Sequence, residues 1–331
     1  AFNDPRFYIQ ILFWMEGTTE IHQHEFSGAF HVMHGSSVHS EFEFAAAQSV
    51  TPHIRIGELH TKKIELLEAG RTVPISSGRE CIHSLFHLDT PSVTVVVRTH
   101  HDPGTGPQYN YLPPHIALDP IHADALTMRR KQLLDVLENL DHPEYVTLVN
   151  EMIGRLDFER GFSTLLHTMP RLQYIDEWQP VLEAFQQKHG ELAKGVADTL
   201  AECLRRETIS QMRHHIANPD HRFFLALLMN VQNRADILSL ISERFPDQSP
   251  TEMILGWAEE LLALTDFGLA LLDATFPETL DVDIEDQADL LMGALQHALE
   301  QNPENQTAAA SAEQAEIHSA LSSSCLRPLF A

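Results

Sequence analysis

The chain has 331 residues, of which 43% are hydrophobic and 21% are charged, and its formal net charge is −25 at pH 7. A single core usually stops growing before this length, so we expect two domains. So acidic a chain repels phosphate backbones, which argues against nucleic acid as a partner. No apolar run approaches the roughly 20 residues that a membrane span needs, and we therefore expect a soluble protein with no membrane partner.

Cysteine usage and the first residues bear on location. The three cysteines, Cys81, Cys203 and Cys325, are odd in number and far apart, which gives neither a disulfide framework nor a Cys-X-X-Cys pattern. A cytoplasmic location is therefore expected. The chain begins at Ala1 rather than Met, and residues 1–13 lack the basic, apolar and small-residue pattern of a secretory signal. This start is compatible with a position inside a longer protein.

The first hundred residues have the pattern of a β-rich domain. Runs rich in Val, Ile and Phe alternate with Gly, Ser and Pro, which predicts short strands separated by turns. The predicted strands are residues 6–14, 20–24, 29–34, 38–44 and 92–99, with a further pair within 54–67. Many short strands at this spacing are typical of a barrel or a sandwich.

The rest of the chain has a helical period. Residues 106–120 are rich in Pro and Gly and are predicted to form a linker between a barrel at 1–105 and a helical domain at 121–301. Asp119 is the expected N-cap of the first helix, with Pro120 at its first position. Residues 302–331 are predicted to be a polar, partly mobile tail. Core positions are expected at Leu126, Leu133, Leu137, Leu140, Leu225, Leu228 and Leu261.

No catalytic pattern is evident in the helical part. It lacks Glu-X-X-His and His-Glu-X-X-His, which argues against a di-iron bundle or a zincin site. Residues after 120 carry 15 basic and 34 acidic side chains, so most of the negative charge lies there. We expect a docking, dimerising or lid-forming domain, with a homodimer as a possible assembly.

A histidine constellation is the main chemical signal in the sequence. His22 and His24 lie two residues apart on a predicted strand, so alternation places both imidazoles on one face. His83, on a later strand, is the best candidate for a third metal ligand. Because the chain has 21 histidines, a His-X-His pair that arises by chance is as consistent with the spacing as a metal site is. Imidazole binds iron, copper, nickel and zinc alike, so the ligand type does not identify the metal. Surface or supporting positions are expected for His31, His34, His39, His53 and His60.

Whole segments around these histidines resemble a known family. Residues 6–17, 21–24, 26–30 and 33–35 resemble, in order and spacing, the first motif of the cupin superfamily, and within it of the cysteine dioxygenase-like thiol dioxygenases. Residues 81–87 and 91–94 resemble the second motif. The resemblance covers about residues 6–100, and the helical half is not recognised. It implies an α+β protein in which a double-stranded β-helix barrel holds ferrous iron, or another divalent transition metal, on His22, His24 and His83, with positions left for substrate and dioxygen.

The departures from the family pattern concern substrate specificity. Cupins usually supply a Glu shortly after the paired histidines, and this chain has Ser27-Gly28-Ala29 there. Ala29 also cannot form the cysteine–tyrosine cross-link of the mammalian-type enzymes. The late strand, Thr94 to Arg98, lacks the His and Tyr that assist thiol oxidation. The resemblance therefore supports a metal site more strongly than it supports thiol oxidation.

The sequence leaves three functional hypotheses. The first is a mononuclear non-haem iron oxygenase acting with dioxygen on a small polar, thiol- or amino-acid-like substrate. Arg6 and Arg98 are candidates to bind a substrate carboxylate, with exposed, ion-paired arginines as the alternative. Arg98, His87 and Tyr109 are candidate catalytic residues, His87 through a hydrogen bond to a ligand and Tyr109, or Tyr111, by closing over the barrel mouth. The other hypotheses are a non-enzymatic metal- or ligand-binding sensor or scaffold with a helical partner-binding domain, and a zinc-dependent isomerase or lyase.

Overall fold

Ten strands make up the N-terminal part of the chain, counted over the residues that the structure describes. The computed structural model describes residues 4–15, 17–122, 124–263, 268, 271–272, 283–300, 320–321 and 324–331. The strands are β1 (Phe7–Trp14), β2 (His22–His24), β3 (Gly28–His34), β4 (Ser37–Thr51), β5 (Ile54–Leu67), β6 (Thr72–Ile75), β7 (Gly78–His87), β8 (Ser92–Thr99), β9 (Asn110–Leu112) and β10 (Ile116–Leu118).

The strands form two antiparallel assemblies between which the chain passes repeatedly. One is a four-stranded sheet in the order β1-β8-β3-β6, and the other is a closed six-stranded barrel in the order β10-β5-β4-β7-β2-β9. Successive strands from β2 to β9 switch between them, apart from the β4–β5 hairpin, as expected of a double-stranded β-helix. The α+β class predicted from the sequence is confirmed.

An apolar layer lies between the sheet and the barrel. Phe30 and Val96 from the sheet pack with Leu67 and Leu85 from the barrel. Side chains alternate along β7, so Phe86 points the other way and joins the core of the helical part. The barrel therefore lies between the four-stranded sheet and the helices.

The segment predicted as a linker is in part a piece of the barrel. β9 and β10 pair with each other, and they pair with β2 and β5 respectively, which closes the ring. The prolines that suggested a linker stand outside both strands, at Pro107 and in the Pro113-Pro114 turn, where no ladder hydrogen bond is lost. Residues 54–67, which were predicted to contain a pair of strands, form the single long strand β5. Strand β6 was not predicted.

Helices fill most of the described chain after residue 124. They are α1 (Ala125–Asn139), α2 (Tyr145–Arg155), α3 (Phe158–Tyr174), α4 (Trp178–His189), α5 (Val196–His214), α6 (Pro219–Asn230), α7 (Arg234–Arg244), α8 (Pro250–Ala263) and α9 (Ile284–Glu300). None of them is both long and apolar enough to span a membrane.

The start and the buried face of α1 differ from the prediction. The N-cap is Asp124, whose carboxylate accepts from the Thr127 amide and hydroxyl, whereas Asp119 accepts from two amides of a preceding turn. Leu134 is buried and Leu133 is 49% exposed, so the predicted core position is wrong by one residue. Leu126 and Leu140 are also exposed, and Leu137 is partly buried.

Other core predictions hold. Leu225, Leu228 and Leu261 are buried together in the larger helical core. Leu326 and Leu329, within the predicted tail, are buried in the same core. Residues 302–319 lie outside the described residues.

Candidate metal centre

The three predicted ligands meet in the layer between the barrel and the sheet. β2 carries His22 and His24, and its register places His22 directly opposite His83 of β7. One ring nitrogen of each histidine lies within 4.8 Å of the others, and the two Nε2 atoms of His24 and His83 are 2.8 Å apart. Alternation along short paired strands thus produces a cluster of three converging imidazoles.

The residue between the paired histidines anchors β2 from its opposite face. Tyr111 donates its hydroxyl to Oε1 of Gln23 at 2.5 Å, and Nε2 of Gln23 donates to the Pro107 carbonyl at 2.8 Å. Both partners belong to the segment predicted as a linker. The barrel closure therefore holds the backbone that aims His22 and His24 inward.

Hydrogen bonds on the far sides of two rings assign their tautomers. Nδ1 of His22 lies 2.7 Å from the Glu20 carbonyl and must donate to it, which leaves a lone pair on Nε2. Nδ1 of His83 lies 3.0 Å from Nε2 of His39, whose own Nδ1 lies 3.4 Å from Oε1 of Glu65. Because the carboxylate accepts from His39, His39 accepts from His83, and the Nε2 lone pair of His83 points into the cluster.

Burial keeps the cluster neutral. Removal from water lowers the pKa of His22, His83 and His39, and it lowers that of His24 to about 3. Neighbouring imidazoles lower the pKa values of His24 and His83 further. All four rings are therefore uncharged at neutral pH, the form in which imidazole binds metal.

The donor set fits one divalent transition-metal ion. Two ring nitrogens face each other at 2.8 Å, and a shared cation would accept the lone pairs of both. The buried Nδ1 of His24 has no hydrogen-bond partner among the described residues. The carboxylates of Glu41 and Glu65 cluster with His39 rather than with the three ligands, so the set is three imidazoles without an acid.

Arg98 lies at the edge of this cluster. Its guanidinium carbon sits 3.5 Å from the centre of the Phe26 ring, and its Nε is buried without a hydrogen-bond partner in the described part of the chain. The Phe26 ring in turn lies 4.4 Å from the His24 ring, so the guanidinium is close to the cluster, and its positive charge helps to lower the pKa of His24. Gly28 lets β3 lie close to β8 beside Arg98, because a Cβ there would stand 2.1 Å from the Val97 carbonyl oxygen.

The other predicted residues lie elsewhere. Arg6 is 79% exposed and pairs with Asp4 at 2.7 Å, so none of its described contacts reaches the imidazoles. Tyr109 is buried and donates its hydroxyl to the Pro52 carbonyl, which ties it into the barrel instead of leaving it over the mouth.

His87 supports the barrel rather than a ligand. Its ring stacks on Trp14 at 4.8 Å, and its Nδ1 bonds the Ser37 hydroxyl at 2.9 Å. Burial, aided by the charge of Arg213, lowers its pKa to about 4. The hydrogen bond that was expected from His87 to a ligand is made by His39 instead.

Glu65 was not singled out from the sequence, and His39 was expected only as a surface or supporting residue. In β4, His39 alternates with Val38, on the same side as Glu41 and Glu43, so the pattern resembles a solvent-facing side. The structure turns that side toward the sheet at His39, which is 1% exposed. The register opposite Glu65 could be found only from the strand pairing.

Comparisons with known proteins add little to this geometry. No protein-family model matches the chain, and no curated protein matches it in sequence. A variant of oxalate decarboxylase from Bacillus subtilis is similar over 41% of this chain and 29% of its own, with 14% identity and a TM-score of 0.24. The capsular polysaccharide assembling protein CapF from Staphylococcus aureus is similar over 32% of this chain and 26% of its own, with 17% identity and a TM-score of 0.22.

Both alignments span less than a third of the other protein's length. With TM-scores this low, we take the fold from the strand topology itself and no function from either protein.

Proposed function

We propose that this protein is a cupin-type, mononuclear non-haem iron oxygenase that acts on a small carboxylate-bearing substrate of thiol or amino-acid type. The observation that carries the metal centre is the convergence of three neutral imidazoles, two of which, His22 and His83, have lone pairs assigned to the nitrogens that face the cluster. His22, His24 and His83 would hold the ion. Bound iron supplies a redox-active centre for the reaction of dioxygen with an organic substrate.

The chain's own groups position the substrate and exclude water. The Arg98 guanidinium is a planar, permanently charged fork suited to a carboxylate, and its position beside His24 would place the substrate's other end near the three imidazoles. Phe26 and Phe30 pack beside the histidine rings and keep this side of the cluster apolar.

Metal content tests the ligand set. We expect protein loaded anaerobically with ferrous iron to hold one ion per chain, and the His83→Ala variant to lose it. His31→Ala is the matched control, because His31 sits on β3 and bonds Thr72. Iron retained at full stoichiometry by H83A would show that the three-histidine assignment is wrong. Reconstitution with zinc in parallel separates an isomerase or lyase from an oxygenase.

Oxygen uptake tests the reaction class. Iron-loaded protein is assayed with thiols and amino acids in matched pairs that differ by a carboxylate, such as cysteine and cysteamine. We expect Arg98→Met to raise KM for the carboxylate-bearing member by about tenfold or more, since a charged hydrogen bond is worth roughly 1.5–3 kcal/mol. Arg98→Lys should recover part of the loss. Absence of oxygen uptake with every substrate would exclude the oxygenase.

A metal-responsive scaffold is the second candidate, and two contacts between the helices and the barrel favour it. Arg213 of α5 donates through Nε and Nη2 to the His87 carbonyl, and Arg222 of α6 donates to the Leu88 carbonyl. These carbonyls stand at the end of β7, which also carries His83. Iron binding that altered amide hydrogen exchange in α5 and α6, without turnover of any substrate, would support this role.

A further inference from the structure

The outer side of the four-stranded sheet is an exposed apolar surface. A strand on a protein surface usually turns its apolar side chains inward and its polar side chains outward. In β1 this is reversed: Phe7, Ile9, Ile11 and Phe13 face outward, and Gln10 is on the inner side. The outward residues are 39% to 65% exposed, as are Met15, Met33 and Val97. Single exposed apolar side chains are common, whereas a contiguous set this large marks an interaction site.

Strand register makes this surface continuous. Ile9, Ile11 and Phe13 stand opposite Val97, Val95 and Val93 of β8. Ala29 and His31 of β3 continue the same row across the sheet, opposite Val97 and Val95. The seven most exposed side chains together present on the order of 650 Å², close to the roughly 800 Å² that each partner contributes to a standard interface.

The surface is also uncharged in a strongly acidic protein. None of the outward-facing positions of β1, β8 and β3 described above is Asp, Glu, Lys or Arg. The chain as a whole nevertheless has a net charge of −25. A basic partner gains no ion pairs on this face, and an anionic membrane would repel the rest of the molecule. A second copy would meet an identical uncharged face without opposing carboxylates.

We propose that two copies of this chain associate face to face through the outer side of the four-stranded sheet, the surface formed by Phe7, Ile9, Ile11, Phe13, Met15, Met33 and Val97. The contact is isologous, so a two-fold axis buries both surfaces at once and closes the assembly. Sheets packed in this way lie about 10 Å apart with interleaved side chains. This inference does not depend on the metal centre, which lies on the inner side of the same sheet.

The exposed side of α1 is the competing surface. Leu126, Leu133 and Leu140 are exposed there, but the exposed Arg129 interrupts the stripe with charge. A substitution on α1 therefore serves as the control for substitutions on the sheet in the same experiment.

The test measures the mass of the full-length protein in solution by light scattering and sedimentation equilibrium. We expect the wild type to be a dimer at micromolar concentration and both Ile11→Glu and Phe13→Glu to be monomers. Leu133→Glu should remain a dimer. Milder variants, Ile11→Thr and Phe13→Thr, remove apolar area without charge and suit β-strands; each should weaken dimerisation at least tenfold.

Circular dichroism and iron content confirm that each variant is folded. A monomeric wild type would refute the proposal, because another segment, a membrane or another protein would then have to cover the face. It is equally refuted if L133E alone dissociates the dimer, or if the dimer survives all four substitutions in the sheet.

Discussion

Replacement of His39 by alanine should weaken metal binding although His39 is not a ligand. In the metal-free variant, His83 can shift its proton to Nε2 and donate to His24 at 2.8 Å, so no ring N–H of His83 is left unpaired. With metal on Nε2, the proton must return to Nδ1, where it has lost its acceptor, Nε2 of His39. The penalty therefore falls on the metal-bound state alone.

The size of the effect follows from that unpaired group. A buried donor without a partner costs about 1–3 kcal/mol, which is roughly a 5- to 150-fold rise in Kd. This range agrees with the 10- to 100-fold losses typical when a hydrogen bond to a metal ligand's other nitrogen is removed. Glu65 should stay in place, because Lys63 binds its other oxygen at 2.8 Å.

The assay is anaerobic competition for ferrous iron between the protein and a chromophoric chelator. His39→Gln offers an amide oxygen to Nδ1 of His83 and should recover part of the affinity, while H31A should match the wild type. A folded H39A protein with wild-type Kd would refute the relay. An equal loss in H31A would also do so, because it would show a general effect of removing a histidine.

Three further predictions concern stability. Gly28→Ala should lower the free energy of unfolding by about 1–3 kcal/mol in urea titrations, because its Cβ would overlap the Val97 carbonyl. Phe86→Ala should destabilise by about 3–5 kcal/mol, and circular dichroism and tryptophan fluorescence should still report one shared transition. Burial raises the pKa of Glu202, but its bonds to Arg205 and the charges of Arg206 and Arg327 outweigh this and hold the pKa below the usual value. The resulting stability is present above about pH 4.3, and it is lost as the pH falls through the lower pKa of the folded state. The Tm of the wild type should therefore fall more between neutral and strongly acidic pH than the Tm of Glu202→Gln. Parallel curves of Tm against pH would contradict this.

The sequence was sufficient where one local pattern decided the outcome. Residues 92–99 form a strand with the predicted bounds, because a run of valines between turn residues has no competing arrangement. The placement of His22 and His24 on one face followed from alternation alone. His83 was the best candidate for the third ligand from its later strand, and the family resemblance strengthened that choice, since local spacing does not determine which strands pair.

Long-range pairing accounts for the errors. Proline signals at 107 and 113–114 indicated a linker, and only the pairing of Tyr111 with Ala117 shows two strands there. In α1 the adjacent leucines at 133 and 134 compete for the same core, and packing against α3 decides which is buried. His39 depended on which side of β4 meets the sheet, a property of the assembled barrel.

The shared core of Val38, Phe86 and Leu88 with α5 and α6 bears on how this chain can be divided. Those three barrel residues contact the helical core directly, and the Arg213 and Arg222 guanidinium groups bind carbonyls at the end of β7. Cutting the chain after residue 120 would expose apolar surface and leave buried carbonyls unbonded on the fragment that holds the histidines. We therefore expect the fragment 1–120 to be unstable, with the histidine cluster formed only when the helices are present.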